Sequence, residues 1–212
     1  VVAGGSEDTI FDDITFLKKR VVLENIPLAG VIINKVDNIG EFNDVYLPRI
    51  NKMDVNVLGI IPYQRELSYF SVRYAADKLF AKIIAGEDNL EGMIENIFIG
   101  SASVTAACKE PEFQAKNKIV ITSGDRSDMI VAALESCSAA IVLTNNILPH
   151  ANIIARAEQM NIPLLLVPFD VFSTAKKIDD MEALPTKDDS GKIALVERLI
   201  KEHVDIDKIV LK

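Results

Sequence analysis

The 212-residue chain has no tryptophan, only two cysteines and two histidines, and no apolar run long enough to span a bilayer. Cys108 and Cys137 stand 29 positions apart with no Cys-x-x-Cys between them, and both fall in apolar runs. They are expected to be small buried hydrophobes rather than a disulfide or a metal pair. His150 and His203 have no cysteine, histidine or carboxylate at ligand spacing, so no metal centre is expected. His150 reads as an exposed residue at a helix start. Cations are in the minority, 23 Lys and Arg against 31 Asp and Glu, giving a net charge of −8 and a pI near 4.9. That balance argues against nucleic acid or an anionic membrane as the main partner. No signal peptide precedes the first strand, and the cytoplasm is the expected compartment. The chain also lacks an initiator methionine. It opens on Val1-Val2-Ala3-Gly4-Gly5 and reads as starting partway through a larger fold.

Two chemical motifs are absent as well. No G-x-x-x-x-G-K-[ST] phosphate loop occurs, so there is no backbone cradle for β- and γ-phosphates and no lysine to reach them. Asn34-Lys35-Val36-Asp37 matches a pattern that reads guanine in many GTPases. Asn51-Lys52-Met53-Asp54 matches it equally, in a helix-to-strand turn where it cannot act so. GTP hydrolysis is not expected. No G-x-S-x-G nucleophile elbow is present either, and no catalytic residue is assigned.

What remains is 49% apolar and 25% charged, enough for a proper core in one or two soluble domains. Val1–Gly5, Ala29–Asn34 and Val55–Ile61 read as apolar strands separated by helices over 10–24 and 41–53, the latter kinked by Pro48. Ser6-Glu7-Asp8-Thr9 caps the first helix, and Asn25-Ile26-Pro27 ends it. This β-α-β-α-β order is the signature of a parallel sheet covered by helices. A helix over 72–78 and a short strand over 82–85 follow. Gly86-Glu-Asp-Asn89 is the most linker-like segment, and a domain boundary is expected there. A second α/β pattern then begins, with strands at 96–100, 119–121, 139–144 and 165–167 and helices at 101–108, 125–136, 149–160 and 192–203. The acidic stretch with Asp179, Asp180, Glu182, Asp188 and Asp189 reads as solvated surface.

The stretch Lys118-Ile-Val-Ile-Thr-Ser-Gly-Asp-Arg-Ser-Asp128 stands out. A buried strand runs through a tight glycine turn into a helix with Ser123 or Asp125 as N-cap. Such a turn aims N–H groups and a positive helix end at the crevice above a sheet. The plain alternative is a capped helix whose charges face water. Ligands of parallel α/β sheets gather at the carboxyl ends of strands. Those ends here are Gly100–Ser103, Ser123–Asp128, Thr144–Asn146 and Asp170–Thr174. Gly124, Asp125, Arg126, Ser127, Thr144, Asn145, Asp170, Ser173 and Thr174 are therefore the candidate binding residues. Arg126 would pair with an anion, and Asp170 would orient a hydroxyl or a cation.

From about Glu95 onward the chain resembles a DRTGG domain. The resemblance rests on Ile119–Asp128 with its Gly-Asp-Arg, Ala132-Ala-Leu-Glu135, Ile141-Val-Leu-Thr-Asn145, and Asn161-Ile-Pro163 before Val167-Pro-Phe-Asp170. Asp125-Arg126 is followed by Ser127-Asp128, so the name motif itself is not kept. Val1–Gly5, Leu28–Val36 and Val57–Tyr63 resemble the later part of a dethiobiotin-synthetase-like P-loop fold without its Walker A segment. Together they are similar to the N-terminal region of long bacterial phosphate acetyltransferases. The resemblance implies a three-layer α/β/α fold with mainly parallel sheets, an incomplete P-loop-like part over 1–88 and a DRTGG domain over 89–212. It implies a regulatory or ligand-sensing region that binds a nucleotide or other small anionic metabolite, in a homo-oligomer, without catalysis of its own. The rivals are a piece of an acetyltransferase or ATP-dependent synthetase whose catalytic elements lie elsewhere, and a pure oligomerisation module.

Overall fold

The computed structural model describes residues 1–4, 7–24, 28–181, 185, 187 and 189–210. The expected cap at Ser6, the helix end at Asn25–Pro27 and the acids Glu182 and Asp188 lie outside the described residues. The strands are β1 (Val2–Gly4), β2 (Val31–Val36), β3 (Val57–Pro62), β4 (Phe70–Ser71), β5 (Lys82–Ala85), β6 (Met93–Ile94), β7 (Asn96–Ile99), β8 (Lys118–Ser123), β9 (Ser138–Thr144) and β10 (Leu164–Leu166). The α-helices are α1 (Glu7–Glu24), α2 (Ile39–Glu41), α3 (Leu47–Asn51), α4 (Val72–Leu79), α5 (Val104–Ala107), α6 (Pro111–Gln114), α7 (Ser127–Leu134), α8 (Ala151–Gln159), α9 (Val171–Asp179), α10 (Ser190–His203) and α11 (Asp207–Val210). The architecture is α/β with mainly parallel strands, as the sequence predicts. Among the described residues no helix is long and apolar enough to cross a membrane.

The chain divides into two compact units, Val1–Leu67 with Pro185–Lys212, and Ser68–Leu184. In the first, β1, β2 and β3 form a parallel sheet in that order. Ile10 and Ile14, one helical turn apart on α1, are fully buried in one cluster with Ile33, Phe42 and Ile50. The expected kink at Pro48 takes the form of a π-helical turn, Phe42–Tyr46, between α2 and α3. Proline has no N–H to donate and its ring crowds the carbonyl four residues back, so the wider turn relieves both problems. The C-terminal segment returns to this unit: Val204 bridges Gly59 antiparallel, and the Asp205 amide donates to the Leu58 carbonyl at 2.8 Å.

The second unit holds a five-stranded sheet in the order β5-β10-β9-β8-β7, with β7 through β10 parallel and β5 antiparallel on the edge. Apolar residues fill both faces. Val120, Ile141 and Leu143 pack with Met129, Ile130 and Ala157 of α7 and α8. Ile119, Ile121 and Val142 pack with Leu79 of α4 and Ile178 of α9. The period of two sends alternate side chains to opposite helix layers. Each fully buried aliphatic side chain contributes about 1.5–3 kcal/mol.

Three expectations need correction. Gly86–Asn89 is not a linker between domains: Gly86 starts a 3₁₀ turn (Glu87–Asn89), and the β5 strand before it pairs with β10. The division at 88/89 thus differs from the contact pattern, which places residues 68–88 with the five-stranded sheet and the C-terminal tail with the first unit. Cys108 and Cys137 are both exposed thiols. Cys108 ends the short α5, and Cys137 sits at a left-handed turn (φ 54°) between α7 and β9, so each lies at an element tip.

Candidate functional site

Because β7, β8, β9 and β10 are mutually parallel neighbours, their carboxyl ends share one rim, and the loops beyond them touch in sequence. Arg126, after β8, reaches the loop after β7: its Nη2 donates to the Ala102 carbonyl at 2.9 Å and its Nη1 to that of Ser101 at 3.5 Å. Gly124 lies against the loop after β9, where a β-carbon would stand 1.8 Å from the Ile147 carbonyl oxygen. The amides of Asn145 and Asn146 donate to the carbonyls of Phe169 (2.7 Å) and Val167 (2.8 Å), beyond β10. Asn145 and Asn146 hold left-handed backbones, φ 59° and 56°, which asparagine tolerates better than most residues.

Within this rim the candidate side chains largely satisfy one another. The Arg126 guanidinium forks onto Asp128, Nε to Oδ1 at 3.1 Å and Nη2 to Oδ2 at 3.3 Å, with about a third of the arginine side chain exposed (32%). That hydrogen bond raises the Arg126 pKa and holds the Asp128 carboxyl below the usual carboxylate range. Asp170 is the N-cap of α9: Oδ1 accepts from the Ser173 amide at 2.8 Å and Oδ2 from its hydroxyl at 2.9 Å. The Ser173 amide, then its hydroxyl, keeps the Asp170 carboxyl below its ordinary value. Thr174 is buried and donates to the Asp170 carbonyl at 2.7 Å, and buried Thr144 accepts from Asn145 Nδ2 at 3.4 Å. Thr144 and Thr174 thus hold the loops rather than facing outward.

Neither Ser123 nor Asp125 caps α7. The N-cap position is Arg126, one residue beyond Asp125, and it makes no side-chain cap bond, since a guanidinium has no acceptor to offer the helix amides. Asp125 is exposed and Ser127 half-buried, both on the rim. Sequence reasoning missed the Ser101 and Ala102 carbonyls and the Ile147 approach. Only Gly124 signalled that something passes close. It also missed two exposed apolar side chains beside the rim, Leu148 (55% exposed) and Phe172 (78%). Among the described residues no cluster of three or more His, Cys, Asp or Glu is placed to hold a metal. A separate groove of about 740 Å³ belongs to the first unit, lined by Asn43, Leu47, Asn56, His203 and Asp205 among others. None of the candidate residues lines it.

Helix layers on both faces of a mostly parallel sheet, with the polar loops gathered on one rim, define the second unit as a three-layer α/β/α domain. The sequence model of the DRTGG domain matches residues 75–181, half of the chain, and the chain belongs to the DRTGG domain family. Over 192 residues it is 26% identical to a phosphate acetyltransferase of Pseudomonas putida, covering 84% of this chain and 27% of that protein. A phosphate acetyltransferase of Synechocystis is 24% identical over 88% of this chain and 28% of its own length. A probable manganese-dependent inorganic pyrophosphatase of Thermotoga maritima is 22% identical over 81% of this chain and 29% of its own length. The chain thus spans about a quarter of the length of the curated relatives it matches. Among solved structures, the CBS and DRTGG domains of the regulatory region of Clostridium perfringens pyrophosphatase, complexed with the activator diadenosine tetraphosphate, align at TM-score 0.46. That match has 17% identity and covers 89% of this chain and 82% of that one.

Proposed function

We propose that this chain is a regulatory region that binds a small anionic metabolite or nucleotide at the shared rim, without chemistry of its own. The observation that carries this reading is the contact of four successive strand-end loops through Arg126, Gly124 and Asn145–Asn146. A ligand touching any one loop would be felt by the others. Arg126 brings a guanidinium cation to the rim. An anion would exchange with Asp128 as its partner, since a carboxylate and a phosphate present the same fork of acceptors. Ser127 and Asn145 would supply further hydrogen bonds, while Asp170 and Ser173 would fix the start of α9. Phe172 offers an exposed aromatic face beside them for a base to stack on.

The relatives support a module that regulates rather than reacts. One chain is similar to part of proteins named for two different activities, phosphate acetyl transfer and pyrophosphate hydrolysis. A segment shared by both is poorly suited to carry the catalytic residues of either. Phosphate acetyltransferase is the name most relatives bear, and its activity is the one we assign to this region's control. Isothermal calorimetry against AMP, ADP, ATP, NADH, pyruvate and acetyl phosphate tests the proposal. Heat from at least one of these, lost in Arg126→Ala, is expected. Silence from all six would contradict it.

A further inference from the structure

We propose that Phe80 is a second aromatic wall of the rim site beside Phe172, and that the ligand there is a nucleoside di- or triphosphate. This rests on the rim holding a ligand through Arg126, and it names which kind. The rim has a fifth corner that the parallel strands alone do not reveal. β5 runs antiparallel to β10, with Lys82 paired to Leu166 and Ala85 to Leu164. The start of β5 therefore stands level with the carboxyl end of β10, and residues 80–82 join the loops after β7 to β10 at the same end of the sheet. Ala81 packs against the same apolar cluster as Phe169 and Val171. Phe80 precedes Ala81 and Phe172 follows Val171, so each exposed ring adjoins a residue anchored in that cluster.

Phe80 is unfavourable where it stands on two counts. Its side chain is 88% exposed. It also closes α4 with a left-handed backbone, φ 50° and ψ 40°, where glycine or asparagine is the usual occupant. A bulky residue in that region is an outlier, and such outliers gather at ligand clamps and switches. The turn does not need the ring: the Phe80 amide donates to the Asp77 carbonyl at 3.1 Å and the Ala81 amide to that of Ala76 at 2.9 Å. Among the described residues the ring stacks on no aromatic side chain, and no cation lies over it. Its flat faces are left for a partner outside the chain, and a nucleobase stacks on such a face.

Strand spacing selects the length of the ligand. Neighbouring strands lie about 4.8 Å apart, so the end of β8 is roughly 10 Å from that of β10 and farther from the start of β5. The Arg126 guanidinium turns toward the loop after β7, donating to the Ser101 and Ala102 carbonyls, and so away from the β10 side. A base stacked at Phe80 and Phe172 leaves its first phosphate short of that guanidinium. A second or third phosphate closes the gap and offers Arg126 a fork of acceptors.

Calorimetry on the full chain with ATP, AMP and inorganic triphosphate tests this, with circular dichroism melting as the check on folding. The wild type should bind ATP at least about tenfold more tightly than either of the others, since only ATP carries both the base and the long phosphate chain. Phe80→Asn should weaken ATP about tenfold and leave inorganic triphosphate within about twofold, because only stacking is lost. Its melting temperature should hold or rise, since asparagine suits the left-handed turn. Phe80→Trp should keep ATP affinity within about threefold, because the stacking face remains. ATP affinity unchanged in Phe80→Asn, or AMP bound as tightly as ATP, overturns this inference and leaves the rim's anion site standing. Binding of acetyl phosphate or pyruvate with no nucleotide bound does the same. A wild type that binds none of these ligands overturns both.

Discussion

Gly124 and Ile147 lie in contact across two loops, with the place of a glycine β-carbon 1.8 Å from the Ile147 carbonyl oxygen. The glycine does not need a left-handed backbone here, since its φ is not positive; it needs to be small. Gly124→Ala must push one backbone segment away from the other. We expect about 1–3 kcal/mol of lost stability, the usual range for forcing a methyl group into filled space. Urea unfolding measures it, and ligand affinity should fall with it because the rim's spacing changes.

Asp128 competes with any incoming anion for the Arg126 guanidinium. Asp128→Asn removes the competing charge while leaving a similar shape, so it should tighten binding of the ligand found for the wild type. Arg126→Ala should abolish that binding. Calorimetry on both variants separates an anion site from a loop held together for its own sake. In the latter case the two variants would lower thermal stability alike and change nothing else.

The same pair sets an acid-side dependence. The Asp128 carboxyl is held below its ordinary value, chiefly by the Arg126 hydrogen bond. Its contribution is complete above the unfolded-chain value of about 4 and disappears as pH falls through the lower folded value. Arg126→Met should flatten the change in unfolding free energy between about pH 5 and pH 2 without altering it above pH 6. Both side chains are partly exposed, so the flattening will be modest.

Lys118 works in the opposite direction. It is fully buried, with Nζ donating to the carbonyls of Ala115 (3.1 Å) and Ser136 and lying 5.1 Å from the Phe113 ring centre. Burial lowers its pKa. Between that lowered value and the ordinary lysine value of about 10.4, the unfolded chain binds more protons than the folded one, so stability rises with pH there. Lys118→Met should remove the alkaline rise. It should also lose about 1–2 kcal/mol at neutral pH by leaving two carbonyls without their donor.

Phe172 distinguishes a nucleotide from a bare anion. If a base stacks on it, Phe172→Ala should weaken adenine nucleotides by about tenfold, a loss within the range measured for single stacking contacts. Acetyl phosphate, which has no ring, should be unaffected. Competition titrations with the two ligand types read the difference.

The sequence showed the strands of the second unit clearly, because Ile119–Ile121, Ala139–Thr144 and Leu164–Leu166 are apolar on both faces and bounded by glycine, asparagine or proline. It also showed which loops would share a rim, since strands that alternate with helices run parallel. It did not show that β5 belongs with that sheet. Antiparallel addition to an edge leaves no periodic trace, and Gly86–Asn89 has the composition of a linker even though it is a turn. Nor did it show that Asp170 caps α9 or that Asp128 holds Arg126. Short acids at a strand end look the same whether they face a ligand or their own backbone. The exposed positions of Cys108 and Cys137 were hidden for a related reason: apolar neighbours in sequence say nothing of a residue at a helix end or a left-handed turn.

The central claim is that the rim around Arg126 binds a small anion. Calorimetry of the wild-type chain with adenine nucleotides, NADH, pyruvate and acetyl phosphate, repeated on Arg126→Ala, tests it most directly. The account predicts saturable binding of at least one ligand that vanishes in the variant while the fold is retained. Binding that persists undiminished in Arg126→Ala, or no binding by the wild type at all, would contradict it.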